Sequence, residues 1–308
     1  MSIALIRESQ TKYAQGTAER KEDGAATYGT LSFVIDTFSE PWSEKYPHVL
    51  IDDLSLGEYT ARFAEFFLGP NLYLLRDESI WKLFSALNKA AFQAKIDKGI
   101  PKEIIRVSGA SFAAANIKYD NTELLAAGDA FIAGELKNGG IFITKDQVHL
   151  HTMAMRKKIA RLMEEVATEW GLRLDSITNE QVIEDIRKEM WNRFVHPLKI
   201  AREKVMNNPE VPSGYPTLNG DAQGERMWQR YLFRTADIKR LLLFTDGFIA
   251  WELLNQMTSQ QLGIFIIELY KKSGIDGILA LTRSVETATS RRSHTKHAEA
   301  TATSIELS

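Results

Sequence analysis

The sequence predicts an α+β fold in which antiparallel sheets carry helices on their outer faces. Three observations carry this expectation. The apolar period changes along the chain in the order strands, two helices, strands, helices, strand, helices, strand. Residues 104–144 hold β-rich runs separated by turn residues, which read as a β-meander. Leu241-Leu242-Leu243-Phe244 is apolar at every position, the pattern of a strand buried on both faces.

The 308 residues suffice for one large domain or two small ones. No internal repeat or clear linker divides them, so a single domain over 1–308 is expected. Hydrophobic residues make up 44% and charged residues 25%, which permits a sizeable core. A net charge of -2, with no long basic stripe, lacks the electrostatic footprint of a nucleic-acid binder. The chain has no cysteine, which excludes disulfides, thiolate zinc sites and cysteine nucleophiles. Met1 to Arg7 holds no signal-peptide core, and no run approaches the roughly 18 apolar residues of a membrane span. The expectation is a cytoplasmic protein with no membrane partner.

Taken in order, residues 3–6 read as a short strand and the polar, glycine-punctuated residues 8–24 as loop. Leu31 to Asp36 is β-rich, and Pro41 and Pro47 bracket an irregular segment. Tyr59, Phe63, Phe66 and Phe67 lie at helical spacing and read as a core stripe, stopped by Gly69-Pro70. Ile80, Trp81, Phe84, Leu87, Ala91 and Ile96 mark a longer helix. Ile104 to Val107, Ser111 to Ile117, Leu124 to Ala127, Phe131 to Leu136 and Ile141 to Thr144 are the predicted strands of the meander. Two amphipathic helices fill residues 153–206 and read as a helical insertion. The proline- and glycine-rich residues 207–225 form a long loop. After the 241–244 strand come helices at 249–257, 259–272 and 275–289, a basic stretch with His294 and His297, and a last strand from Thr301 to Leu307.

The buried strand runs directly into Thr245-Asp246-Gly247. A carboxylate at such a strand end needs a hydrogen-bond donor, a cation or a metal. Asp246 therefore reads either as the cap of a structural turn or as a ligand. Further acidic stations precede it: Glu22-Asp23, Val34-Ile35-Asp36 and Gly128-Asp129-Ala130.

In order and rough spacing these stations resemble those of the metal-dependent type 2C (PPM) serine/threonine protein phosphatases. Ile143-Thr144-Lys145-Asp146-Gln147 looks like that family's strand-exit Leu-Thr-x-Asp-His segment, and Ser108-Gly109-Ala110-Ser111 like its small-residue strand start. The resemblance covers most of the chain. It implies a four-layer α-β-β-α sandwich and hydrolysis of phosphoserine and phosphothreonine through two magnesium or manganese ions. Carried over by position, Asp36 would bridge both ions, and Asp246 would bind one. Asp23 would act through water, and Asp129 matches a position tied to an additional, weaker ion. Arg20 would clamp the phosphate, or is a solvated loop cation.

The chain departs from that pattern at two places. Thr37 stands where the family has a glycine whose carbonyl meets the metal. Threonine offers the carbonyl but adds a Cβ. Phe38-Ser39-Glu40-Pro41 then replaces the segment carrying the family's histidine acid. His48 reads as a surface residue, with reach to the site as the alternative. Near the C-terminus the family's ligand aspartate is missing. One alignment puts Ala298 there, and a shift of one residue puts Glu299 there. His149-Leu150-His151 alternates like a strand, with a small claim to metal binding. Two expectations follow: a metal-dependent phosphatase acting on a phosphoprotein, or an inactive relative that binds a protein partner through the 153–206 helices. No Gly-x-Ser-x-Gly elbow, phosphate-binding glycine loop with lysine or His-Glu-x-x-His helix supports another hydrolase.

Overall fold

Leu31, Phe33 and Ile35 point to one side of their strand and Val34 to the other, and this alternation sorts the whole molecule into layers. The computed structural model describes residues 6–17, 20–43, 45–75, 78–289 and 297–308. The chain begins with β1 (Ile6–Ala14), β2 (Asp23–Tyr28) and β3 (Leu31–Phe38), then the small hairpin β4 (Leu50–Ile51) and β5 (Leu54–Ser55). Helices α1 (Leu56–Leu68), α2 (Ile80–Asp97) and α3 (Lys102–Ile105) follow. Next come β6 (Gly109–Ile117), β7 (Asn121–Ala127), β8 (Phe131–Leu136) and β9 (Ile141–Ile143). Two long helices, α4 (His149–Glu169) and α5 (Glu180–Val205), precede the short α6 (Ala222–Glu225). The chain ends with β10 (Gln229–Arg234), β11 (Ile238–Phe244), α7 (Trp251–Leu254), α8 (Ser259–Thr289) and β12 (Ala300–Leu307).

Two five-stranded antiparallel sheets form, in the orders β1-β12-β11-β8-β9 and β10-β7-β6-β3-β2. Between them lies an apolar layer of Val34, Ala113, Leu124, Ile132, Leu241, Leu243 and Ile305, among others. The opposite faces pack on helices. Phe33, Phe112 and Leu125 meet Phe84 and Leu87 of α2, while Leu242 and Phe244 meet Ile266 and Ile278 of α8. The architecture is the four-layer α-β-β-α sandwich. Strand β11 is buried on both faces because one face meets the other sheet and the second meets α8. Helices α4 and α5 close a separate core around Met163, Ile186, Met190 and Phe194. That hairpin returns to the sandwich where Val148, Val205, Met206 and Tyr215 pack together beside Phe38. Among the described residues no helix is long and apolar enough to cross a membrane.

Several expectations need correction. Residues 8–14 are not loop but the edge strand β1, whose polar side chains face solvent while its backbone pairs with β12. The 104–107 strand is absent: Pro101 starts the short helix α3 there, and proline's fixed φ suits a helix entry. The 104–144 region is not one meander. Strands β6 and β7 lie in one sheet and β8 and β9 in the other, so the chain changes sheets at Gly128-Asp129-Ala130. Phe66 leaves the predicted core stripe and is 78% exposed, while Tyr59, Phe63 and Phe67 stack on each other along α1. Strand β10 was not anticipated, because Gln229-Arg230-Tyr231-Leu232-Phe233-Arg234 sits at a sheet edge with no residue fully buried.

Candidate active site

One end of the sandwich collects acidic side chains from separate strands. Asp23 opens β2 and lies directly across from Asp36 on β3. Directly opposed residues of an antiparallel pair share a face, so both carboxylates project to the same side. Asp36 is also the register partner of Ser111 on β6. Ser111 Oγ donates to Asp129 Oδ1 at 2.6 Å, which brings in the sheet-changing turn. That turn requires Gly128: its φ is +75°, and a Cβ would stand 2.0 Å from Ser111 Oγ. On the other sheet, Thr245 Oγ1 donates to Asp23 Oδ2 at 2.9 Å and places Asp246 beside Asp36. Gly247 admits the returning chain, since a Cβ there would meet Glu299 O at 1.8 Å.

The electrostatics follow from this crowding. Asp36 is pushed well above the usual carboxylate range by burial, then by the charges of Asp23, Asp246 and Asp129. Asp23 is raised by burial and by Glu299. Burial and Asp246 push Asp129 up to about 7. Burial and Asp129 push Asp146 up to about 6. Asp246 is raised by burial, with Arg156 opposing. The carboxyl groups of Asp36 and Asp246 lie beside each other, and the charge of Asp246 is among those that raise Asp36. Asp146 follows β9 in the strand-exit segment and joins the acidic end through its like charge to Asp129. Its Oδ1 accepts the N–H of Val148, just before α4, at 2.9 Å, while Gln147 bridges Gly128 N and Met227 O.

The other expected site residues are engaged differently. Both oxygens of Glu299 are occupied: Oε1 accepts from Tyr13 Oη at 2.8 Å and Asp23 N at 2.9 Å, and Oε2 from Glu22 N at 3.0 Å. Arg20 Nη1 donates to Glu58 at 2.7 Å and to the carbonyl of Asp53 at 3.2 Å, so it is tied to the capping box of α1. Thr37 stays within β3, paired with Ala110, and its hydroxyl donates to the carbonyl of Glu22. His48 is not a surface residue. Its ring packs tilted against Trp42, with centroids 4.3 Å apart, and its Nδ1 lies 3.7 Å from Glu40 Oε1. His149 and His151 open helix α4 rather than a strand, and helical geometry sends them apart, to Trp251 and to Tyr215. His297 pairs with Glu286 at 3.1 Å, and His294 lies outside the described residues.

Two arginines from the helical hairpin were not anticipated. Arg156 lies over the Trp251 ring at 4.4 Å and lines a small cavity of about 50 Å³ with Asp246 and Gly247. Its Nε is buried with no hydrogen-bond partner. Burial lowers its pKa, and the charge of Asp246 opposes that fall. Arg202 is buried beside Phe38 and donates to the carbonyls of Ser39 and Val107; burial lowers its pKa, and the charges of Tyr215, Glu22, Glu40 and Asp129 oppose that fall.

Hard oxygen donors of this kind suit magnesium or manganese, and mutually repelling buried carboxylates gain most from a divalent cation. The donor chemistry therefore fits, although among the described residues no three His, Asp or Glu side chains already stand in the arrangement of a formed metal site.

No family model and no curated protein matches the sequence. Solved structures do match. A bacterial serine phosphatase superposes with a TM-score of 0.51 at 14% identity, covering 98% of both chains. The PPM serine/threonine phosphatase of Mycobacterium smegmatis, solved in complex with cacodylate, gives 0.51 at 15%, covering 99% of this chain and 100% of its own. A serine/threonine phosphatase of Staphylococcus aureus gives 0.51 at 13%, covering 100% and 98%. At these identities the likeness establishes the fold: this chain has the sandwich of the PPM-type serine/threonine phosphatases over nearly its whole length.

Proposed function

We propose that this chain is a divalent-metal-dependent phosphatase that hydrolyses phosphoserine and phosphothreonine in proteins. The observation that carries the reading is the meeting of Asp23, Asp36, Asp129 and Asp246, from four separate turns and strands, at one end of a phosphatase-type sandwich. Fold alone does not give function, so the weight rests on this site.

In this reading Asp36 and Asp246 hold two magnesium or manganese ions, Asp23 supports them from the second strand, and Asp129 with Asp146 serves a weaker third. The carbonyl of Thr37 stays in the ligand set; Glu299 is left out because its oxygens are already occupied. When bound, such ions supply Lewis acidity at the phosphoryl oxygens and a nucleophile from water at neutral pH. The chain's own residues then position the phosphate. Arg20 is available only by leaving Glu58, so we assign the phosphate-facing charge to Arg156, whose Nε has no protein partner and whose fork is fixed against Trp251. Thr245 and Ser111 hold the Asp23 and Asp129 carboxylates in place.

A second reading, a partner-binding relative without turnover, is favoured by the engagement of both Glu299 oxygens. Calorimetric titration of the wild type and Asp246→Ala with Mn²⁺ and Mg²⁺, followed by hydrolysis of an aryl phosphate, separates the two. Binding lost in the variant, with metal-dependent turnover in the wild type, supports the enzyme. A folded wild type that binds neither ion at millimolar concentration ends that reading.

A further inference from the structure

Beside the acidic end of the sandwich a cleft of about 700 Å³ runs between the 38–48 loop and α5. It starts at Phe38, just past Asp36, and includes Glu22, next to Asp23. Its size is that of a ligand pocket, and its walls include Trp42, Trp191 and Leu198.

Three polar atoms on its loop wall are buried and have no hydrogen-bond partner: Glu40 Oε2, Ser43 Oγ and His48 Nδ1. The residues themselves are closely packed, with Glu40 6% and Ser43 4% exposed. Glu40 Oε1 is engaged by the N–H of Val49, so only Oε2 seeks a donor. Leaving a buried carboxylate oxygen unpaired is costly, and a cation is its strongest partner. The basic groups around Glu40 leave Oε2 without a donor: His48 Nδ1 lies 3.7 Å from Oε1, and Arg202 feels the charge of Glu40 without donating to Oε2. Arg202 donates to the carbonyls of Ser39 and Val107, Arg187 pairs with Glu184 at 3.0 Å, and Arg20 pairs with Glu58. Lys95, buried beneath the loop on α2, feels the charge of Glu40 without donating to Oε2.

We propose that this cleft seats a lysine or arginine side chain of the phosphoprotein segment flanking the phosphorylated residue, with Glu40 as its counter-ion and Ser43 and His48 completing the polar end. The aliphatic stem of such a side chain packs between Trp42 and Leu198 while its charged tip reaches Glu40. The position of the cleft beside Asp23 and Asp36 makes it the continuation of a bound peptide whose phosphate sits at the acidic end. This rests on the phosphatase reading for its substrate and on the unpaired groups for its chemistry.

The test is a series of phosphothreonine peptides carrying one lysine at successive flanking positions, each compared with norleucine at the same position. One position is expected to favour lysine by about tenfold in kcat/KM, since a buried charge-assisted bond is lost with norleucine. In Glu40→Gln that ratio falls to within about twofold. Equal turnover at every position in the wild type overturns the proposal, as does a lysine preference that survives in Glu40→Gln. Should Glu40→Gln not fold, Ser43→Ala and the wild-type salt dependence of the ratio replace it, a salt-insensitive ratio unchanged in Ser43→Ala being the overturning result. Should the protein turn over no phosphopeptide, calorimetry with the same peptides without phosphate keeps the two readings apart: tighter binding of one lysine peptide supports the cleft alone, and equal binding overturns it.

Discussion

Glu299 Oε1 accepts the backbone N–H of Asp23 at 2.9 Å, which fastens the last strand's approach to the first residue of β2. The same carboxylate holds Tyr13 and Glu22 N, so β1, β2 and the entry to β12 meet on one side chain. Its role in the structure is a clasp. Glu299→Ala is expected to cost about 2–4 kcal/mol, the range for losing several bonds to a partly buried charged acceptor. Manganese affinity of the folded variant is expected to change less than threefold. Denaturant melts paired with calorimetry check both. A folded Glu299→Ala with metal affinity down tenfold or more returns Glu299 to the ligand set.

Asp36 faces three other aspartates and gains no favourable charge from any neighbour named above. Replacing it by Asn removes an acid whose ionisation burial and three like-charged neighbours oppose, while keeping the shape. The metal-free Asp36→Asn protein is therefore expected to be more stable than the metal-free wild type at pH 8, by about 1–3 kcal/mol, even as turnover disappears. Thermal melts in chelator decide this. A destabilised variant under those conditions means that Asp36 is held by a structural partner rather than poised for a ligand.

The sequence made the sandwich legible where one residue face repeats cleanly. Leu241 to Phe244 reads as buried on both sides because both sides are in fact covered, by the other sheet and by α8. The acidic stations were legible because Asp23 begins a strand, Asp36 lies two residues before the end of one, and Asp129 and Asp246 sit in turns just past strand ends. Edge strands were not. The polar residues of β1 and β10 are held by backbone pairing, which leaves no hydrophobic period. Arg156 and Arg202 were hidden for another reason. Each is one basic residue among many on an amphipathic helix, and only the docking of the α4–α5 hairpin against Trp251 and Phe38 turns it toward the acids. The engagement of Glu299 and Arg20 was likewise a matter of tertiary partners, Tyr13 and Glu58, far away in sequence.

The raised carboxylates set a pH dependence whose sign can be worked out. Asp129 at about 7 and Asp146 at about 6 both stand above the ordinary 3.8, raised by burial first. Between pH 4 and 7 the folded protein therefore binds more protons than the unfolded chain, and metal-free stability falls as pH rises through that window. His151, lowered by burial to about 4, works the other way below its ordinary 6.5, but it is one group against several carboxylates. Saturating Mn²⁺ takes the place of the protons, so the fall is expected to vanish with metal and return with chelator. Melts at pH 5, 6, 7 and 8 with and without Mn²⁺ measure it. Metal-free stability that climbs from pH 5 to 7 contradicts the raised values.

Arg156 and Arg20 make opposite predictions as phosphate contacts. Arg156 is fixed over Trp251 beside Asp246, with an unpartnered Nε, whereas Arg20 is bound to Glu58 in the cap of α1. A preorganised donor that meets the phosphoryl oxygens contributes to both substrate binding and turnover. Arg156→Ala is therefore expected to lower kcat/KM for an aryl phosphate by about 10²-fold, with Arg156→Lys restoring only part because an ammonium lacks the planar fork. Arg20→Ala is expected to act on stability instead, by about 0.5–1.5 kcal/mol through the loosened cap, and to leave kcat/KM within about threefold. Inorganic phosphate as a competitive inhibitor supplies a second readout: its inhibition constant rises in Arg156→Ala and stays near the wild-type value in Arg20→Ala. The reverse pattern, with Arg20 controlling phosphate affinity, means that Arg20 leaves Glu58 when substrate arrives and that Arg156 serves only to balance the charge of Asp246.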